Sequence, residues 1–198
     1  DVYKRQHHEV LEGQGSLELA VEAAQKAIAR SGVNKEEIDL VISCSVTKMS
    51  GDLQNLIEPC LASHICTALD IKAQNFDIAN ACLGMVTGIL IADRKIRSGK
   101  IRHALIVAGE YLTEALYEAL GKNLLFNQKA FSSLTIGDAG GAYVVSVSDE
   151  ERIQFHEPMT LAQHSQLCIG DAAVGRPGPA MRTYGKKLQN AALENLGA

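Results

Sequence analysis

Two near-continuous apolar runs constrain the fold of this 198-residue chain more than any other feature. They cover residues 39–46 (DLVISCSV) and 103–110 (HALIVAGE). Both are rich in β-branched and aliphatic residues and lack the alternation of a half-exposed strand, so each predicts a strand buried on both faces. Helical patterns lie before, between and after them. This alternation predicts an α/β layered fold with a largely parallel central sheet.

Helix and strand patterns alternate around these two runs. Apolar residues recur on one face of residues 16–30, with acidic residues early and basic residues late, which predicts an amphipathic helix that Gly32 ends. A second helix is expected after Pro59, because proline is tolerated at a helix N-terminus. The other expectations are a glycine-rich entry into a strand over residues 134–147, a helix and then a loop over 112–134, loops over 150–180, and a final helix over 181–196.

The composition is that of an ordinary globular domain. Hydrophobic residues make up 46% of the chain and charged residues 21%, which is enough for a substantial core. The net charge of -4 argues against nucleic-acid binding, which needs a basic surface. No apolar run is long enough to span a bilayer, and no secretory signal is present. We therefore expect a cytoplasmic protein whose five cysteines are reduced.

Cysteine and histidine usage gives only a weak metal signal. Cys60, His64 and Cys66 lie close together but have no matched partner at zinc-ligand spacing. His7 and His8 are adjacent, so their side chains point in different directions, and we expect them in solvent. We expect no metal and no cofactor.

The two chain ends are unusual. Residues 1–6 (DVYKRQ) resemble a translated adapter sequence, and we interpret them as a non-native leader outside the fold. The chain lacks an initiator methionine and stops at what looks like the end of a helix. These features predict a fragment truncated on both sides, with residues 7–198 forming a single incomplete domain.

Residues 75–90 (NFDIANACLGMVTGIL) place one cysteine in a chemically special position. The pattern predicts a short strand, a turn of small residues, Cys82, and then a helix whose apolar residues recur at spacings of three and four. A helix N-terminus offers unpaired N–H groups and partial positive charge, which favour the nucleophilic thiolate. The same N–H groups can hold the oxyanion formed when a thioester or ester is attacked. On position alone, a buried and inert cysteine is the commoner outcome.

Three motifs carry a family resemblance: FDIANACLGM, IRSGKIRHALIVAGE and LTIGDAGGAYVV, in that order. With them the chain resembles the N-terminal half of a thiolase-fold condensing enzyme of the β-ketoacyl-acyl carrier protein synthase III type. The resemblance is continuous over about residues 15–147 and looser towards residue 198. It implies a thiolase-like α/β/α fold, of which this chain carries mostly the N-terminal half.

A further motif resembles one subgroup of that family. Ile57-Glu58-Pro59 is similar to the acidic residue and proline that mark the head-to-head acyl-CoA condensing enzymes of olefin biosynthesis. Residues 163–168 (QHSQLC) also resemble a segment of that subgroup. On position alone, Glu58 is interpreted as a first-turn acid that complements a helix dipole.

The resemblance implies a reaction and its residues. Cys82 would take an acyl group from an acyl-CoA or acyl-carrier protein thioester, and Claisen condensation with a second thioester would give a β-ketoacyl product. Glu58 would act as base in trans, across the interface of a homodimer formed by the strand before Cys82. Phe126 and Phe131 are candidates for shaping the acyl channel. A basic cluster over residues 94–102 caps the helix after Cys82, with docking of an acidic carrier as the alternative.

Two other readings stay open. The segment around Cys82 is similar to the nucleophile elbow of α/β hydrolases but lacks its first glycine, and Asp138 with His156 or His164 would have to complete the triad. Alternatively, the chain belongs to a non-catalytic thiolase-fold paralogue or partner subunit, in which Cys82 is unreactive.

We predict that the chain alone does not condense acyl groups. The family uses a histidine that precedes glutamine and an asparagine that follows glycine, and the sequence contains neither pair. We therefore expect no β-ketoacyl product when the chain is incubated with acyl thioesters and the extract is analysed by mass spectrometry. A product that forms with this chain but not with its Cys82→Ser variant would contradict the prediction.

Overall fold

The computed structural model describes residues 9–122, 128–150, 158–175 and 178–195. These residues cluster into two compact units. The larger unit contains the described residues within 10–111 and 139–150, and the smaller unit contains the rest. The single incomplete domain over residues 7–198 stays a prediction.

A mixed four-stranded sheet forms the centre of the larger unit. The strand order is β2-β1-β3-β4, with β1 parallel to both β2 and β3 and with β4 antiparallel to β3. The prediction of a largely parallel central sheet is therefore confirmed. The strands are β1 (Leu40–Ser43), β2 (Gln74–Asp77), β3 (His103–Glu110) and β4 (Ala139–Ser146).

Helices cover both faces of this sheet. Val41, Leu105 and Val107 pack in one apolar cluster with residues of the first two helices, whereas Leu40 and Ile106 pack in a second cluster with the third helix. Because alternate residues of β1 and β3 enter opposite clusters, both strands are buried on two faces, as their uninterrupted apolar sequences predict. The helices are α1 (Ser16–Ser31), α2 (Leu61–Leu69) and α3 (Gly84–Arg97).

Two glycines allow α1 to lie directly against the sheet. A Cβ atom on Gly109 would come within 2.0 Å of the Ser16 carbonyl oxygen, and one on Gly140 within 2.4 Å of the Leu19 carbonyl oxygen. Any side chain at these positions would force the helix away from β3 and β4. The expected glycine-rich entry into a strand over residues 134–147 is confirmed by β4.

The smaller unit departs from its sequence prediction. Its elements are α4 (Thr113–Leu120), β5 (Cys168–Ala172), β6 (Pro179–Thr183) and α5 (Gly185–Glu194), with short helical turns at Gln128–Thr135 and Ala162–Leu167. Loops were expected over residues 150–180, but β5 and β6 pair antiparallel there. The final helix begins at Gly185, because Met181 to Thr183 pair in β6. The two strands are short and weakly apolar, and each is stabilised by hydrogen bonds to the other. Neither segment therefore shows a strand pattern in its own sequence.

None of the helices in the described ranges is long and apolar enough to cross a membrane.

Asp77, the last residue of β2, fixes the start of α2. Its two carboxylate oxygens accept hydrogen bonds from the backbone N–H groups of Leu61, at 3.0 Å, and Ala62, at 2.9 Å. Lys48 Nζ lies 2.6 Å from Asp77 Oδ2. The carboxylate therefore satisfies two N–H groups that the helix itself leaves without partners, and it complements the helix dipole.

We predict that Asp77→Asn destabilises the fold by about 1–2 kcal/mol, because the amide turns one acceptor into a donor that faces a backbone N–H. The control is Asp70→Asn at the other end of α2, where an exposed aspartate lies 3.4 Å from exposed Lys35 and should matter little. Urea unfolding of both variants measures the difference in the free energy of unfolding. Equal losses in the two variants would contradict the capping role.

Candidate active site

Cys82 lies where the chain leaves the carboxyl end of β2 and turns into α3. Beyond the end of β2, the Ile78 N–H still donates to the Ser43 carbonyl at 2.9 Å. A short helical turn, Ala81–Leu83, follows and continues directly into α3. The Cys82 residue is exposed. The predicted order of strand, turn, cysteine and helix is confirmed.

The turn that carries Cys82 is sharp and firmly held. Ala81 has a φ of 43°, in the left-handed region that residues with a side chain seldom adopt. Leu83 N–H donates to the Asn80 carbonyl at 3.0 Å, and Asn80 Nδ2 donates to Thr87 Oγ1 at 2.7 Å. Thr87 Oγ1 in turn donates to the Leu83 carbonyl at 3.0 Å. Backbone strain of this kind is concentrated at functional sites, where the surrounding contacts maintain it.

Small residues bring α3 against the sheet. Gly84, Gly88 and Ala92 are buried and recur every four residues. A Cβ atom on Gly84 would lie 2.9 Å from the Cys44 carbonyl oxygen, and one on Gly88 would lie 2.7 Å from Ile106 Cγ2. The spacing of apolar residues predicted this helix but not its face of small residues. That face could have been found from the four-residue spacing of glycine and alanine.

The five cysteines differ sharply in environment. Cys44 and Cys66 are buried, Cys60 is half-buried, and Cys82 and Cys168 are exposed. Burial, with smaller contributions from the charges of Asp77 and Glu110, raises the pKa of Cys44 to about 12. Burial, with a contribution from Cys60, raises the pKa of Cys66 to about 11. Cys44 and Cys66 are therefore protonated and inert at neutral pH.

Glu58 lies in the exposed loop that precedes α2. The first-turn interpretation of this residue is wrong, because α2 begins at Leu61 and has no acidic residue in its first turn. Asp77 binds the N–H groups at that helix end instead. The Glu58 carboxylate is thus left in solvent beside Ile57, which is 76% exposed.

Phe126 and Phe131 are the two candidate channel residues. Phe126 lies outside the described residues. Phe131 belongs to the smaller unit, in the turn Gln128–Thr135, and is 47% exposed. Their role in shaping an acyl channel stays a prediction.

The sequence interpretation missed Glu110, a half-buried carboxylate at the end of β3. Glu110 accepts hydrogen bonds from the N–H groups of Val46, at 2.7 Å, and Thr47, at 3.0 Å, and from Thr47 Oγ1, at 2.8 Å. Burial raises the pKa of Glu110, although these hydrogen bonds oppose the rise. The carboxylate ties the chain that leaves β1 to the neighbouring strand. Its signal in the sequence is an acid that ends an otherwise apolar run.

The residues of the alternative hydrolase triad have other positions. Asp138 accepts hydrogen bonds from the N–H groups of Leu112, at 2.6 Å, and Thr113, at 2.8 Å, within the smaller unit. This aspartate thus anchors the start of α4. His164 lies in the turn Ala162–Leu167 of the same unit, and His156 lies outside the described residues.

Two further observations concern ligand sites. Within the described ranges, no group of three or more His, Cys, Asp or Glu residues could hold a metal ion. A groove of about 690 Å³ runs between α3 and β4, lined among others by Ile89, Asp93 and Tyr143, and neither Cys82 nor Glu58 lines it. The candidate site is therefore the exposed turn at Cys82.

We predict that iodoacetamide discriminates among the cysteines at pH 8. Cys82 should be alkylated more than about a hundredfold faster than Cys44 or Cys66, whose raised pKa values and burial withhold the thiolate. Mass spectrometry of tryptic peptides measures each rate, and residues 73–94 carry Cys82 as their single cysteine. Exposed Cys168 and the urea-unfolded chain are the controls. Comparable rates for Cys44 and Cys82 in the folded chain would contradict this assignment.

Comparison with known proteins agrees with the resemblance in the sequence. Residues 76–160 match the family model of 3-oxoacyl-[acyl-carrier-protein] synthase III. The β-ketoacyl-[acyl-carrier-protein] synthase III of Acholeplasma laidlawii is 32% identical over 153 residues, which are 75% of this chain and 44% of that relative. The corresponding protein of Clostridium perfringens is 34% identical over 140 residues, 70% of this chain and 38% of the relative. The chain thus spans less than half the length of these curated relatives.

Solved structures of OleA from Xanthomonas campestris share the fold. A glutamate-to-aspartate variant superposes with a TM-score of 0.81 at 25% identity and covers 95% of this chain and 55% of that chain. The acetamide-bound protein superposes with a TM-score of 0.63 at 27% identity, over 71% of this chain and 44% of that chain. The predicted resemblance and the thiolase-like α/β fold are confirmed: this chain matches the β-ketoacyl-[acyl-carrier-protein] synthase III family over residues 76–160 and shares the thiolase-like fold of the OleA structures.

Proposed function

We propose that the protein to which this chain belongs is a condensing acyltransferase that joins two acyl thioesters into a β-ketoacyl product. The observation that carries the proposal is the exposed Cys82 thiol on a strained turn at the start of a helix. The family match and the named relatives support the same reaction class.

The first half-reaction uses Cys82. The thiolate attacks the thioester carbonyl, the carrier thiol leaves, and the acyl group remains on the cysteine sulfur. In the second half-reaction, the α-carbon of another acyl thioester loses a proton or carbon dioxide and attacks the acyl-enzyme. A carbon–carbon bond forms, and the Cys82 thiolate is released.

The source of the carbanion distinguishes two versions of this reaction. The Ile57-Glu58-Pro59 motif favours proton removal by a carboxylate base from an acyl-CoA. The names of the curated relatives favour an acyl-carrier protein substrate instead. A carboxylate gains strength as a base when dry surroundings destabilise its charge. A partner subunit packed on the exposed loop around Glu58 would supply such surroundings.

A homodimer belongs to the same proposal. Among the described residues, β2 pairs with β1 alone and so lies at an edge of the sheet, where a second copy of the strand could add. Large apolar side chains are exposed on the Glu58 loop and beside Cys82; they are Leu53, Ile57, Leu83 and Val86. Exposed apolar side chains near a candidate site are typical of an interaction surface.

We also propose a cytoplasmic location. All five cysteines are free thiols, and free thiols persist in a reducing compartment.

We predict that incubation with a long-chain acyl-CoA leaves an acyl adduct on Cys82. Mass spectrometry should find the adduct on the tryptic peptide of residues 73–94. Cys82→Ser should abolish it, because a serine hydroxyl ionises far less readily than a thiol and is a weak nucleophile. Glu58→Gln should retain the adduct, since the base acts only in the second half-reaction. Cys168→Ser, which removes the other exposed thiol, should also retain it. A folded chain that acylates Cys168 but not Cys82 would overturn the proposal.

A further inference from the structure

The smaller unit contains a basic pocket of about 360 Å³. Its walls come from the turns Gln128–Thr135 and Ala162–Leu167, from the two strands β5 and β6, and from the start of α5. Three of the lining side chains are cationic: Lys129, Arg182 and Lys187. Tyr184 lies among them, and we call this cavity the Tyr184 pocket.

The cations converge on one aromatic ring. Lys129 Nζ lies 4.3 Å from the centre of the Tyr184 ring, and Lys187 Nζ lies 5.5 Å from it. Both distances are within cation–π range. A hydrogen bond from Lys129 lowers the pKa of the Tyr184 hydroxyl, and the charges of Lys129, Lys187 and Arg182 act in the same direction. Positive charge is thus concentrated around one phenol.

One of the three cations has an acidic partner outside the residues that line the pocket. Arg182 forms an ion pair with Asp171, and both side chains are about half exposed. Among the described residues that line the cavity, none is aspartate or glutamate. Bringing Lys129 and Lys187 to the same ring costs repulsion between like charges. A bound anion would attract both ammonium groups and so offset the repulsion between them.

We propose that the Tyr184 pocket binds the phosphate group of an organic phosphate ester. Lys129, Lys187 and Arg182 are donors of the kind that phosphate oxygens accept in charge-assisted hydrogen bonds. The apolar side chains of Leu167 and Ile169 also line the cavity and would contact the organic part. The volume lies in the range of about 300–1,000 Å³ that is usual for small-molecule sites. This site does not depend on the reaction proposed for Cys82.

Calorimetric titration of the 198-residue chain with phenyl phosphate, at constant ionic strength set with chloride, tests the proposal. Phenyl phosphate should bind more tightly than inorganic phosphate, because its ring meets the apolar wall. Lys187→Gln should weaken binding about tenfold, as expected for loss of one charge-assisted hydrogen bond. The matched control is Lys186→Gln, since this neighbour on α5 carries the same charge but does not line the pocket. It should change the affinity less than about twofold.

A second measurement locates the ligand. The ring resonances of Tyr184 in the nuclear magnetic resonance spectrum, assigned with Tyr184→Phe, should shift on addition of phenyl phosphate. Equal weakening by Lys186→Gln and Lys187→Gln would overturn the proposal, because only the net charge would then matter. Absence of heat beyond the chloride background would overturn it as well. Both outcomes leave the acylation of Cys82 untouched, so the two proposals fail separately.

Discussion

The backbone contact between α3 and β1 is the interaction on which the candidate site depends. Gly84 and Gly88 leave space that the Cys44 carbonyl and side chain fill, so the start of the helix lies directly on the end of the strand. A side chain at Gly84 would meet the Cys44 carbonyl oxygen at 2.9 Å and would displace the helix start. The turn that carries Cys82 would move with it. The close contact of Gly84 and Gly88 with Cys44 therefore both buries Cys44 and positions the turn that exposes Cys82.

Two carboxylates hold the neighbouring chain segments at the carboxyl ends of the parallel strands. Asp77 ends β2 and binds the start of α2, and Glu110 ends β3 and binds the chain that leaves β1. In both cases a partly buried acid accepts hydrogen bonds from backbone N–H groups that would otherwise lack partners. Charged acceptors make stronger hydrogen bonds than neutral ones, which suits segments without regular secondary structure. The loop of Glu58 thus starts and ends at anchored points, while its apolar residues remain exposed.

The sequence predicted what depends on local pattern and missed what depends on pairing at a distance. The apolar runs at β1 and β3 and the spacing around Cys82 were sufficient, because burial on two faces and helical periodicity are visible within a few residues. β5 and β6 were missed because they are stabilised by pairing with each other, and neither Gly170 nor Pro179 is typical of a strand. Glu110 was missed for a similar reason, since its partners Val46 and Thr47 lie more than 60 residues away in sequence. The position of Glu58 relative to α2 required knowing that Asp77 caps the helix.

The proposed reaction places one requirement on Cys82 and another on the exposed apolar residues around it. A thiolate must be reachable by a thioester, yet water must be excluded when a carbanion forms, because water would protonate it. In this chain Cys82 and Leu83 both face solvent, so the turn satisfies the first condition by itself. The second condition needs a surface that covers Leu83 and Ile57 during condensation. Under the proposed reaction, acyl transfer to Cys82 would therefore require only the turn, whereas carbon–carbon bond formation would require the turn and a surface that packs on those side chains.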